Sequence, residues 1–475
     1  MLEFTLDPAS VARLTGLTGL RRTGKIVPLA VDWHDTASAD LLRDGLALSF
    51  SGGRWRLARQ DHSWAAPVVL AESRDRVALG PAVPAEVVPL AHWDGTRRGF
   101  RWVGQGNTVS MMLFDGRFGR PGRAPPARLS IDGPAEAIPG LAALLAPLGA
   151  RLARTSLAQD AHADASPELP SGPVPMPAEE PAGHALGGII ARQLRIMLHW
   201  ADLIPKSSGP EPVHQMRVAI RRLRAALSIF RPVSTCPALL ALAEPLKDCA
   251  AQLGQARDWD VFLDGAGARL AAAFPADARC AAMLRSAGRR RRVVYGALRL
   301  YLAGPEFLAL TAGLAHAASA RPWLAGDPQP DLGSFAAERL SGRLRRVRRI
   351  GRSLDEVPVA ELHELRKDCK RLRYAAEFFQ PLFAGKPQKR FVAGLSELQE
   401  ELGHLNDGAA IPGLMAQLGR AERGYAAGLA EGYTAAQSAT ARARIGKEWR
   451  WFRDAKPFWP LTAKPEKALN FNKCD

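Results

Sequence analysis

Two segments of the chain carry the same arrangement of positive charge: HQMRVAIRRLR from His214 and HELRKDCKRLR from His363. Both fit H-x-x-R-x-x-x-[RK]-R-L-R. At 3.6 residues per turn the first places His214, Arg217, Arg221 and Arg224 in one narrow stripe. His363, Arg366, Lys370 and Arg373 repeat the stripe, and Arg222, Arg371 and Lys367 widen its flank. Arginine supplies a forked, permanently charged donor, and histidine a donor that gains charge on protonation. Such a row, about 15 Å long, suits successive phosphates of a polymer. Its like charges repel at three and four residues' spacing by roughly a few tenths of a kcal/mol per pair, and a helix needing only solubility would mix in glutamate. A solvated face is the usual fate of a charge run; the repetition sets this one apart.

Met216, Ala219, Ile220, Leu223, Ala226, Leu227 and Phe230 fall on the opposite side of the same wheel, which makes it the core-facing side. The self-similarity extends further. VHQMRVAIRRLRAALSIFRP (213–232) aligns with LHELRKDCKRLRYAAEFFQP (362–381) at an offset of 149, and LGQARD (253–258) meets LGHLND (402–407) at the same offset. Gly254 thereby matches Gly403, and Asp258 matches Asp407. Residues 184–475 therefore read as an all-helical domain made of two copies of one unit, expected to pack about a pseudo-twofold axis. Residues 158–183, rich in Pro, Ala, Ser and Glu, read as a linker. Residues 1–157 read as β-rich, because VARLTGL, ALSFS, WRLARQ, GFRWVGQ, VSMMLFDG and ARLSIDG alternate between turn residues, with one helix near 135–150. The fold class is an α+β chain of two domains.

The formal charge of +17 is confined to the helical half: residues 1–182 hold 19 basic and 19 acidic residues, and residues 183–475 hold 45 and 28. A field of one sign in one domain calls for a polyanionic partner. Further basic tracts contain Arg289 and Arg290 (GRRRRVV) and Arg345, Arg346 and Arg349 (GRLRRVRRIGR). Aromatic platforms for bases are scarce beside them, Tyr295 and Tyr301 being the nearest to the first tract, which favours bare phosphate over nucleic acid. No apolar run reaches the roughly 20 residues of a membrane span, and the start resembles no secretory signal, so no membrane partner is expected and the location reads as cytoplasmic. Five cysteines without a C-x-x-C pair read as reduced, buried thiols. The histidines have no companions for a metal site, and no phosphate-binding G-x-x-x-x-G-K-[ST] loop is present, so neither metal nor cofactor is expected.

The duplicated signature resembles the CHAD domain, over roughly residues 184–455. The resemblance implies two four-helix bundles around a basic groove or pore that binds inorganic polyphosphate, and association with polyphosphate granules. The matching positions are His214, Arg217, Arg221, Arg222 and Arg224, with His363, Arg366, Lys370, Arg371 and Arg373. The first 150 residues are similar to the CYTH domain that often precedes CHAD, a β-barrel or tunnel that hydrolyses triphosphates with divalent metal. In LEFTLDP only Glu3 stands where that family alternates acidic residues, and Thr5 occupies its lysine position. Ser49 and Ser51 stand where phosphate-binding arginines are expected, and the later acidic alternation is reduced to Asp115 and Asp132. The resemblance thus implies a non-catalytic polyphosphate binder with a degenerate CYTH-like domain. The alternatives are a diverged metal-dependent triphosphatase and a nonspecific nucleic-acid-binding protein.

Overall fold

The computed structural model describes residues 1–119, 126–162, 169–170, 172–326, 328–350, 359–404, 411–419 and 424–460. Its N-terminal part is one antiparallel sheet of nine strands: β1 (Leu2–Leu6), β2 (Leu20–Asp35), β3 (Leu46–Ser51), β4 (Arg54–Arg59), β5 (Val68–Ser73), β6 (Val88–Gly104), β7 (Asn107–Phe118), β8 (Ala127–Asp132) and β9 (Arg151–Leu152). Their order is β5-β4-β3-β2-β6-β7-β8-β1-β9. The sheet curls, because the chain leaving β4 returns to β1: Leu2 bridges Ala65, and the Glu3 amide donates to the Trp64 carbonyl at 2.8 Å. Strand alternation sends Leu2, Phe4, Leu129 and Ile131 to one face, which forms the core. Glu3 and Ser130, opposite each other in the register, point to the other face.

The short helices of this part are α1 (Pro8–Leu14), α2 (Asp40–Arg43), α3 (Ile138–Leu145) and α4 (Leu157–Ala161). The strand expected at VARLTGL is instead α1. Asp7 caps it by accepting from the Ala9 amide, and Pro8 fixes the first helical position, two local signals that outweigh the alternation. Residues 158–161, read from composition as the start of a linker, belong to α4, which opens with a capping box between Ser156 and Gln159. Its Leu157 and Ala161 pack with Val31, Trp93 and Phe118 on the sheet face opposite the main core, and Asp160 forms an ion pair with Arg128.

The helical part comprises α5 (Ala182–Leu203), α6 (Glu211–Phe230), α7 (Pro237–Leu240), α8 (Ala243–Val261), α9 (Ala268–Ala273), α10 (Ala278–Ala303), α11 (Pro305–Ala320), α12 (Leu332–Ile350), α13 (Val359–Phe378), α14 (Lys386–His404), α15 (Ile411–Met415) and α16 (Tyr425–Asp454). The first copy is built mainly from α5, α6, α8 and α10, the second from α12, α13, α14 and α16. Equivalent helices meet across the boundary: α5 on α12, α6 on α13 and α10 on α16. Two contacts mark the pseudo-twofold relation directly. Pro181 and Asp331, each preceding the first helix of its copy, form an antiparallel bridge. Phe230 and Phe379, equivalent at the offset of 149, lie 5.7 Å apart between ring centroids, both fully buried.

Helix α11 packs on α5 and also on α3 and β1, so the cores of the sheet and of the bundles are continuous. Polar contacts reinforce the junction, with Arg154 on Asp202 at 2.5 Å and Arg195 over the Trp64 ring at 5.6 Å. Cys249, Cys280 and Cys369 are buried free thiols and Cys236 is a half-buried one, whereas Cys474 lies outside the described residues. Among the described residues no single helix is long and apolar enough to cross a membrane.

Candidate functional site

The stripe of the first copy lies on α6 and that of the second on α13, and these two helices pack on each other. On α6 the side expected to face the core does so: Met216, Ala219, Ile220, Leu223, Ala226 and Phe230 are buried, and Leu227 is half-buried. Burial of that side turns the stripe toward the crossing. There, Arg221 of the first copy and Arg373 of the second both lie over the ring of Tyr374, at 5.7 and 5.4 Å from its centroid. Arg222 reaches across to Glu377, at 3.2 Å, and stacks on Phe378 at 5.5 Å. Arg373 approaches the same Glu377 at 3.6 Å.

The electrostatics of this crossing are those of cations pressed together. Burial, then Arg366, Arg221, Arg373 and Arg217, lower the Lys370 ammonium to about 8. Both stripes thus act on one side chain. Burial also lowers the Arg217 guanidinium, with Asp258 opposing and Arg221 and Arg257 adding to the shift. His214 is lowered by burial and then by Arg257. The Asp258 carboxyl is raised by burial, against the pull of Arg217 and Arg257. Gly254 supplies room for this cluster, since a Cβ there would stand 2.7 Å from Arg217 Nη1; its counterpart Gly403 faces Arg366 at 3.7 Å. The Nε atoms of Arg221, Arg222 and Arg373 and the Tyr374 hydroxyl are buried without a hydrogen-bond partner. Buried polar groups are ordinarily satisfied, so the crossing is chemically equipped to receive an anion with several acceptor oxygens.

The other residues singled out from the sequence are placed unequally. Arg224 is exposed on α6. Lys367 pairs with Glu364 at 2.8 Å, and Arg371 and Arg346 share the buried Asp368 at 2.8 and 2.5 Å. Arg345 and Arg349 are exposed on α12. Arg289 is exposed on α10, and Arg290 reaches Gln417 at 3.5 Å, on a helix packed against α8, α11 and α16. The His363 side chain and Asp407 lie outside the described residues. Two participants at or beside the crossing were not singled out, Arg257 and Tyr374, and Arg343 enters from the basic tract GRLRRVRRIGR. Burial and then the Arg371 charge lower Arg343 to about 10. Arg257 sits inside LGQARD, one of the two repeated segments, so the repeat itself carried that signal.

In the sheet, the residues at the CYTH-like positions are engaged within the chain. Burial raises the Glu3 carboxyl, opposed by Arg128 and by a 3.4 Å hydrogen bond from Ser130. Arg128 is held by Asp160 and by the Thr155 carbonyl at 2.6 Å. Ser51 donates to the Ala30 carbonyl at 2.6 Å, Ser49 is half-buried in β3, and the Thr5 hydroxyl donates to the Arg151 carbonyl at 3.4 Å. Asp115 faces Arg98 at 3.5 Å, and Asp132 is exposed at the end of β8.

Comparison with known proteins agrees with this architecture. Two uncharacterized proteins of Mycobacterium tuberculosis, from strains CDC 1551 and H37Rv, are each 30% identical over 241 residues, covering 47% of this chain and 43% of the relative. The chain thus spans less than half the length of these curated relatives. The crystal structure of the CHAD domain from the plant Ricinus communis superposes with a TM-score of 0.51 at 25% identity, covering 60% of this chain and 97% of the plant domain. The N-terminal β-rich region is consistent with a CYTH-like domain. The family model of the CHAD domain matches residues 188–416, and with the duplicated stripe and the structural match this makes that segment a CHAD domain.

Proposed function

We propose that the chain is a non-catalytic binder of inorganic polyphosphate, that the crossing of α6 and α13 is the centre of its site, and that it acts at polyphosphate granules. The observation that carries the reading is the convergence of both stripes on Tyr374 and Lys370. A polyphosphate chain presents an anion at every unit, and a row of arginines on each of two crossing helices offers charge-assisted donors to several units at once. His214, Arg217, Arg221, Arg224, Arg366, Lys370 and Arg373 form the contact row, and Arg257 and Tyr374 join it at the centre. Arg222, Lys367, Arg371 and Arg346, each held by an acid at 3.2 Å or closer, act as flank, whereas Arg373 stands 3.6 Å from Glu377. Arg289, Arg290, Arg345 and Arg349 extend the positive field beyond the contact row.

Aromatic side chains are scarce along the basic tracts, and the Tyr374 and Phe378 rings at the crossing are already covered by arginines, which favours bare phosphate over bases. In the sheet domain the cation Arg128, on the face shared with Glu3, is taken by the chain's own Asp160, which supports a scaffold role over phosphoryl transfer there. The test is competition binding of the 475-residue chain with long-chain polyphosphate against tRNA and duplex DNA, at matched phosphate and about 0.15 M salt. Preferential retention of polyphosphate, weakening steeply with salt, is expected. Equal or better retention of duplex DNA would replace this reading with a nucleic-acid one.

A further inference from the structure

Helix α10 carries a second charged surface that the crossing does not use. Its 26 residues contain seven arginines and no acidic residue. One of these, Arg291, turns inward: its Nε donates to the buried Asp260 at 2.6 Å while the guanidinium covers the Tyr295 ring at 4.3 Å. Arg285, Arg289, Arg292 and Arg299 follow one another at spacings of four, three and seven, which puts them on one line about 21 Å long. All four are exposed. Cys280, Met283, Ala287, Val294 and Leu298 fill the opposite side against the bundle, so this line faces outward.

Beside it stand Val293 and Leu300, also seven residues apart, with 60% and 76% of their surface exposed. Exposed aliphatic residues scattered singly are ordinary; these two run parallel to the arginine line. A phosphate polymer in water would engage the arginines and leave the aliphatic pair idle. An anionic lipid surface engages both, since headgroup phosphates meet the guanidinium groups while the aliphatic side chains enter the boundary of the acyl region. We propose that the outer face of α10 is a docking surface for an anionic lipid layer. The contact is peripheral, and of its four arginines Arg289 alone is shared with the positive field proposed around the crossing.

The test is sedimentation of the 475-residue chain with vesicles of phosphatidylglycerol and phosphatidylcholine in equal parts, and with phosphatidylcholine alone. Sedimentation with the anionic vesicles only is expected. Arg285→Glu/Arg292→Glu/Arg299→Glu should weaken partitioning about a hundredfold or more, since each basic residue near such a surface contributes about a factor of five. Val293→Ser/Leu300→Ser, which leaves the charge unchanged, should weaken it severalfold. Circular dichroism checks that each variant is folded, and Arg→Gln versions replace any that is not. Failure of the parent protein to sediment, or sedimentation unaffected by the arginine changes, overturns the proposal. Loss on arginine replacement without loss on Val293→Ser/Leu300→Ser also overturns it, because the aliphatic pair then adds nothing to the contact and the arginines act as a general polyanion surface.

Discussion

The two copies of the helical unit share a stripe and differ in what surrounds it. On α13, acids are interleaved with the cations: Glu364 holds Lys367, Asp368 holds Arg371 together with Arg346, and Glu377 takes Arg373 and the incoming Arg222. On α6 no acidic residue follows Glu211, at the first position of the helix, and the balancing carboxylate beside Arg217 is Asp258 of α8. The first copy therefore contributes the larger uncompensated field, while the second supplies the rigid, internally paired half of the crossing together with Lys370 and Tyr374. A repeated motif fixes where cations stand; the unrepeated acids decide which of them remain available to a ligand.

The largest expected effect concerns whether the copies form one folding unit. Phe230→Ala and Phe379→Ala remove either half of the same buried contact, and each should cost about 3–5 kcal/mol. Urea denaturation should give a single transition displaced in both variants. Two separated transitions, with only one displaced, would mean that the copies are independent and the comparison is between neighbours.

Next comes the difference between available and neutralised cations. Arg221→Gln removes a guanidinium whose Nε has no partner, and loss of a charge-assisted contact of about 1.5 to 3 kcal/mol corresponds to roughly tenfold or more in polyphosphate affinity. Arg371→Gln removes a cation already held by Asp368 and should change affinity little. Calorimetric titration of both variants checks this, and equal losses would erase the distinction.

Above neutral pH the effect on binding should come from the second copy, through Lys370, because the His214 imidazole of the first copy is lowered from its ordinary value and is neutral there. Lys370 titrates near 8 when folded and at its ordinary value of 10.5 when unfolded. Between these values the unfolded chain holds the proton and the folded one does not, so this group makes unliganded stability rise with pH through that window. A bound polyanion favours the charged ammonium, so binding takes up a proton and affinity falls severalfold as pH rises past about 8. Lys370→Arg, charged throughout, should flatten that step. A parent protein whose affinity is level across the same range would contradict the clustering at Lys370.

The smallest effect separates two equivalent glycines. Gly403→Ala should leave binding unchanged and gain up to about 1 kcal/mol of helix stability. Gly254→Ala should stay folded yet displace the Arg217 guanidinium, weakening polyphosphate binding by a few-fold. Identical behaviour of the two in thermal melts and titrations would show that the room at Gly254 has no bearing on the site.

Much of this was legible before the structure, for identifiable reasons. A stripe is a periodicity and a duplication is an offset, and both survive as spacing in the chain, so the cations of α6 and α13 could be named from sequence. Partners in space could not. Nothing near Arg222 in sequence points to Glu377, and the place of Tyr374 between Arg221 and Arg373 follows from how α6 crosses α13. The strand expected at VARLTGL failed because alternation over seven residues is weaker than an Asp cap followed by proline. The helix at the start of the linker stretch was not legible because its four residues there, anchored by Asp160 on Arg128, stand inside a stretch whose average composition is that of a spacer.

The central claim is that both stripes hold one polymer. Arg217→Glu/Arg221→Glu and Arg366→Glu/Lys370→Glu are made separately, helicity is confirmed by circular dichroism, and affinity is measured for short and long polyphosphate. Two half-sites on one chain gain by effective concentration, so each variant should lose affinity for the long polymer far more than for the short one, and both should lose it heavily. A variant that binds long polyphosphate as the parent does would show that the stripes do not share a site.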